Sequence, residues 1–171
     1  SVYTGTRADR KRALCDDDMG KVFARLPRYS AVTPAMRRAQ ELFILMFLLR
    51  GLPFVDLAYL RKSDLRDNVI TYRRRKTGRP LSVTLTPEAM LLLKRQMDVD
   101  SSSPYLFPLL KSSEGTKEAY HEYQLALRNF NRQLLLLGEV LGLNDKLSSY
   151  TARHTWATTA YYCEVHPGII S

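Results

Sequence analysis

Eight consecutive apolar residues, Leu42 to Leu49, run between Glu41 and Arg50. A membrane-spanning helix takes roughly 18 or more such residues, so this block is too short to cross a bilayer. Continuous apolarity over two helical turns calls instead for a helix buried on nearly all sides, around which the other elements must pack. Thr33 and Pro34 supply its start, a side-chain cap followed by a first-turn proline. The pattern then carries the helix through Arg37 and Glu41 to about Arg50.

The flanking segments fill in the rest of the domain. Asp16 opens a helix, since acidic side chains suit a helix N-terminus. A short helix from Pro53 to about Leu60 follows the central one. The period then drops to two. Val69 to Arg75 reads as a strand, and Leu81, Val83 and Leu85 alternate with Ser82 and Thr84 as a second. Lys76-Thr77-Gly78-Arg79 turns between them, with glycine where positive φ is needed. Thr86 and Pro87 start a helix reaching about Met97. Asp98 to Ser113 is a loop pinned to the core by Tyr105, Leu106 and Phe107. Glu118 to Leu141 forms a long helix ended by Gly142. The last element spans about Ser149 to Cys163, where Trp156, Ala157 and Ala160 offer packing, and Pro167-Gly168 turns after it. The expected fold is mainly α (α+β), with one small antiparallel sheet or hairpin.

A length of 171 residues fits one domain with a proper core, and 45% hydrophobic content is ordinary for a globular protein. Thr4 to Arg12 is basic and poor in apolar residues, which reads as an incoming linker. Ser1 to Arg12 shows no apolar stretch of a secretory signal. Cys15 and Cys163 lie far apart and match no metal-ligand spacing, so a reduced, cytoplasmic setting is the simpler expectation. Charge says more. Lys and Arg number 26 against 17 acidic residues, a net charge of +9. That balance favours a polyanionic partner, nucleic acid first and an anionic membrane second.

Three basic positions are hard to place on an ordinary surface. Arg50 follows the apolar block directly, and there it either snorkels outward, meets an anion, or pairs with a carboxylate such as Asp56. Arg73, Arg74, Arg75 and Lys76 lead into the hairpin tip, and Arg79 follows it. Alternation sends Arg73 and Arg75 to one face and Arg74 to the other. Such a tip can enter a DNA groove, its arginines on phosphates and its lysine at a reacting atom. It can equally be a solvated hairpin whose charges prevent edge-to-edge aggregation. The third position is Arg153-His154, set where a helix N-terminus can hold a phosphate. On its residue type alone, His154 also fits a hydrogen-bonded core histidine.

Taken in order, these segments resemble the catalytic domain of tyrosine recombinases of the phage-integrase type, over about Arg12 to Ser171. Tyr150 to Thr158 is similar to the family's second box, H-x-x-R-H-[TS]-x-A-T. Leu49 to Leu65 resembles its first box and the entry to its sheet, through Asp56-Leu57-Ala58-Tyr59-Leu60-Arg61 and Ser63-Asp64-Leu65. Lys76, in Arg75-Lys76-Thr77-Gly78, sits where the family keeps its hairpin lysine. The resemblance implies a double-stranded DNA partner and a transesterification in which a tyrosine forms a 3′-phosphotyrosyl link and releases a 5′-hydroxyl. It implies that neither ATP nor a metal takes part. Arg50 and Arg153 would clamp the phosphate, and Lys76 would protonate the leaving oxygen. Tyr150 would donate a hydrogen bond to the phosphate, while Arg73, Arg75, Arg79 and His154 would contact DNA.

The sequence departs from the family in three places. The first-box arginine lies three residues before the acidic position matched by Asp56, and Pro53 stands there. Arg50, one helical turn earlier, resembles the displaced arginine of a branch of mobile-element integrases. Tyr150 stands at the second-box histidine. The third-box histidine and the nucleophilic tyrosine are expected beyond Ser171, because Tyr161, Tyr162 and His166 come too soon after Arg153. On the resemblance, residues 1–12 are a linker from an N-terminal DNA-binding domain, and residues 13–171 a catalytic domain lacking its C-terminal helices. Tetramers on paired sites are implied for the full-length protein, and a monomer for residues 1–171 alone. Two rival functions remain at this point. One is relaxation of DNA as by type IB topoisomerases, the other a catalytically inactive DNA-binding module of the same fold. A generic basic protein for RNA or membranes would account for the charge but not for the ordered boxes.

Overall fold

The computed structural model describes residues 13–27 and 31–165, with side chains to residue 159. Six helices and one three-stranded sheet are present among them: α1 (Asp16–Phe23), α2 (Pro34–Leu48), α3 (Phe54–Tyr59), β1 (Leu65–Arg66), β2 (Val69–Arg73), β3 (Pro80–Thr84), α4 (Pro87–Gln96), α5 (Lys117–Leu141) and α6 (Ser149–Val165). A single 3-10 turn, Lys62–Asp64, precedes β1. The expected linker (residues 1–12), the side chains of Ala160 to Cys163, and His166 to Gly168 lie outside the described residues.

The apolar block behaves as its sequence requires. In α2, Phe43, Leu45 and Met46 are fully buried and Leu42 nearly so, as is Leu49 just past its end. Burying one such side chain is worth about 1.5–3 kcal/mol, so this block organises the core. The helix touches α4, α5 and α6 along its length. Thr33 caps it, its hydroxyl accepting from the Met36 N–H at 3.2 Å, with Pro34 in the first turn. Glu41 opens the block as a buried acid, paired with Arg95 and accepting from Gln96 (2.8 Å), which clips α2 to α4. Thr86 and Thr116 cap α4 and α5 in the same way. Gly142 ends α5 in the left-handed conformation, φ +67°.

Four expectations need correction. The central helix stops at Leu48, so Arg50 lies outside it, on a turn. The first strand ends at Arg73 rather than Arg75, the second runs one residue earlier than expected, and a third, β1, joins the hairpin edge through Leu65↔Ile70 and Arg66↔Val69. Two residues were too few to show a period in the sequence. Ala157 is exposed rather than packed, and Ala152, Thr155 and the partly buried Trp156 fill that role. Arg153 and His154 sit in the second turn of α6 rather than ahead of it. The long loop after α4 is pinned as expected: Tyr105, Leu106 and Phe107 are buried, and the Tyr105 hydroxyl donates to the Ser112 carbonyl at 2.6 Å.

No helix among the described residues is long and apolar enough to cross a membrane.

Candidate active site

The hairpin pairs Val69↔Thr84, Ile70↔Val83, Thr71↔Ser82, Tyr72↔Leu81 and Arg73↔Pro80. Ile70 and Val83 are buried, which fixes the inward face of the sheet. Tyr72 is half-buried on that face, and burial, then the Asp56 carboxylate, pushes its hydroxyl up to about 12. Continuing the alternation, Arg74 also points inward, its side chain only 21% exposed. Past it, the chain turns through Gly78 at φ +70°. The Gly78 N–H donates to the Arg74 carbonyl (2.7 Å) and the Arg74 N–H to the Arg79 carbonyl (2.9 Å). Lys76 and Arg79 are exposed at the tip.

The outward arginines are already engaged. Arg73 donates to the Gly78 carbonyl at 3.1 Å, inside its own hairpin. Arg75 pairs with Glu114, which also holds Arg61 at 2.9 Å, and its guanidinium lies 3.7 Å from the centre of the Tyr59 ring. Those two cations, Arg61 first, hold the Glu114 carboxyl below its ordinary range.

Asp56, in the first turn of α3, is the buried anion beneath this hairpin. It accepts the Arg75 backbone N–H at 3.1 Å and lies 4.0 Å from Arg74 (Oδ2 to Nε). Burial raises its pKa, and the neighbouring N–H and the charges of Arg74, Arg75 and Arg153 only partly offset that. The Arg74 Nε is shielded from solvent and has no hydrogen-bond partner. A buried donor in that state costs roughly 1–3 kcal/mol.

Arg153 faces this group from α6, partly buried. Its Nη1 donates to the Gly51 carbonyl at 3.1 Å. Burial lowers its pKa, and the positive charge of Arg74 lowers it further, with Asp56 acting the other way. Gly51 has φ +71°, and a Cβ there would stand 3.3 Å from the Arg153 Cα and from Trp156. Only glycine lets the α2–α3 turn approach α6 so closely. Arg50, one residue before it, also has positive φ (+62°) and is exposed. It makes no ion pair with Asp56, whose neighbours are Arg74 and Arg75. Tyr150 is 60% exposed one turn before His154, and the two rings stack at 5.5 Å. Thr155 accepts the Leu14 N–H at 3.0 Å, tying the incoming chain to the helix that carries Arg153.

The cluster thus draws Arg74 and Arg153 together around Asp56, with Lys76 two residues along the hairpin. Arg50 is exposed on its turn. Arg74 is the group that sequence reasoning passed over, although the signal was present: it shares the period-two face of Ile70 and Tyr72. Among the described residues, no three His, Cys, Asp or Glu side chains gather as they would around a metal ion.

Comparison with known proteins bears on the family and the fold. The phage integrase family profile matches residues 26–167. In fold, the chain is similar to XerA recombinase (TM-score 0.56, 19% identity, 87% of this chain and 50% of that one). It is also similar to lambda integrase residues 75–356 bound to DNA (TM-score 0.55, 14% identity, 90% and 51%). A lambda integrase dimer bound to a COC′ core site gives TM-score 0.53 at 15% identity, over 90% and 41%. At these identities the likeness is one of fold, and the chain spans about half the length of those proteins or less. No curated protein matches the chain. The family profile runs through the central helix, the hairpin and the helix bearing Arg153, and on that ground the chain belongs to the phage integrase family, with the fold of a tyrosine recombinase catalytic domain.

Proposed function

We propose that this domain carries out site-specific DNA recombination or integration by phosphotyrosyl transesterification, on double-stranded DNA, within a longer protein that acts as a tetramer on paired sites. The observation that carries the reading is the docking of the lysine-bearing hairpin onto buried Asp56, directly beside Arg153. In the reaction, a tyrosine phenol gives its proton to solvent as its oxygen attacks phosphorus, and the bond from phosphorus to the 5′-oxygen breaks. Lys76 gives that oxygen its proton. A 5′-hydroxyl from a partner duplex then reverses the step and frees the tyrosine. The covalent link keeps the phosphodiester energy, so the exchange balances with no added co-reactant. Arg153 pairs with the non-bridging oxygens, whose charge grows in the transition state, and Tyr150 donates to the same phosphate. Arg79 and His154 are assigned to DNA contacts alongside Lys76. Arg73 and Arg75 contact DNA only by leaving Gly78 and Glu114.

The test uses the protein as its gene encodes it, incubated with duplexes cut from the junctions of its own genetic element. A denaturation-resistant adduct joined through a 3′-phosphotyrosine, and exchange between two duplexes, are the expected results. Arg153→Ala should lower adduct formation about 10²- to 10³-fold. Tight binding with no adduct would identify a non-catalytic DNA-binding module. Relaxation of supercoils without exchange would identify topoisomerase-like chemistry.

A further inference from the structure

We infer that Arg74 is the second phosphate clamp of this site, supplying from the sheet the guanidinium that Pro53 cannot supply from the start of α3. The assignment rests on the recombinase reading and adds a residue to it. Three observations lead to it. First, Arg74 is turned inward while its neighbours in sequence are turned out and occupied, Arg73 by the Gly78 carbonyl and Arg75 by Glu114. Second, its Nε is buried and lacks a hydrogen-bond partner, although Asp56 lies only 4.0 Å away. An arginine kept for structure would close that gap and satisfy the donor. One kept for a ligand leaves a donor waiting for an acceptor. Third, Arg74 stands beside a second partly buried arginine, Arg153. Two guanidiniums against one carboxylate leave a local charge of about +1, which a phosphodiester, carrying one negative charge, neutralises.

The geometry of the hairpin suits this role. Both backbone groups of Arg74 are held, its N–H by Arg79 and its carbonyl by Gly78, so the side chain starts from a fixed point at the root of the turn. The lysine at the tip is two residues further on. Phosphate clamp and general acid are therefore delivered by one rigid element, and both reach the same phosphate when the hairpin closes on DNA. Asp56 stands 4.0 Å from Arg74 and its charge also acts on Arg153, which makes Asp56 a positioning residue. Arg50 is the competing source of the missing cation. It is exposed on the turn that follows the central helix, at φ +62°, and has no ion pair with Asp56.

The experiment compares Arg74→Ala, Arg74→Lys and Arg50→Ala in the protein as its gene encodes it. Each variant is given a cognate duplex carrying either the natural phosphodiester or a methylphosphonate at the cut position. In the methylphosphonate a methyl group replaces one non-bridging oxygen and the negative charge is gone, so a clamp for that charge becomes dispensable. Arg74→Ala should cleave the phosphodiester about 10²- to 10³-fold more slowly than wild type and the methylphosphonate within about tenfold of it. Arg74→Lys should recover part of the loss, because it restores charge without the fork. Equal losses on both substrates would reduce Arg74 to a structural group and overturn the assignment. Normal cleavage by Arg74→Ala together with loss in Arg50→Ala would transfer the role to Arg50. Should wild type form no adduct, the recombinase reading itself fails. Salt dependence of duplex binding then still decides on Arg74, since losing one phosphate contact lowers the slope by about 0.9, and an unchanged slope refutes the contact.

Discussion

Asp56 shows how one side chain can cost stability and still be kept for its position. Its carboxyl is pushed above the ordinary range by burial, against the pull of the Arg75 N–H and of Arg74, Arg75 and Arg153. A raised folded-state value means that the stability from this group is fully present below its unfolded value of 3.8 and is lost as pH rises through the folded one. At neutral pH the ionised carboxylate is therefore a net cost to folding. Asp56→Asn should raise the midpoint of thermal unfolding at pH 7 while slowing cleavage, because the amide no longer offsets the charges of Arg74 and Arg153. A lower midpoint would show that those arginines outweigh the burial. Gly51 works in the opposite sense. Gly51→Ala places a methyl 3.3 Å from the Arg153 backbone at a φ of +71°, and a loss of about 1–3 kcal/mol is expected in urea unfolding. The cleavage rate should fall more than that stability loss explains, since the Gly51 carbonyl also orients Arg153.

Among the elements, α6 depends on contacts made far away in sequence. The buried Asp18 of α1 accepts from the Asn144 and Asp145 backbone N–H groups and from the Asn144 side chain, at 3.1–3.2 Å, and so fixes the corner between α5 and α6. Asp18→Ala strands those donors. A loss of about 2–4 kcal/mol is expected, with hydrogen exchange rising first in the 143–155 segment. Local chemistry made most of the elements readable from sequence: Thr33-Pro34, Thr86-Pro87 and Gly142 mark ends that the backbone requires. The end of α2 was not readable, because Leu49 continues the apolar pattern and only the Arg50–Gly51 turn, set by Trp156 of α6, breaks it. The site was partly legible for the same reason. Lys76, Arg153 and Tyr150 stand in ordered motifs. The claim of Arg74 on Asp56 depends on which face of β2 meets the core, and that was legible only through Ile70.

At the scale of the whole molecule, the net charge of +9 predicts how binding responds to salt. Affinity for duplex DNA should fall steeply between about 50 and 200 mM salt, by roughly 0.9 log units per log of salt for each phosphate held. Replacing Lys76 and Arg79 together with alanine should lower that slope by up to about 1.8 while leaving the unfolding midpoint nearly unchanged, since both are exposed at the hairpin tip. A slope that does not move would place the tip away from the phosphates.

The bond from Arg153 to the Gly51 carbonyl joins residues 102 positions apart. Synthesis runs at about 5–20 residues per second, so the turn that accepts this bond is translated roughly 5–20 s before its donor. Through that interval the growing chain can form the hairpin, with its lysine and its inward arginine, against α3. The opposite wall does not yet exist. Assembly of the site is thus timed by translation, and a chain released before α6 has the hairpin without Arg153.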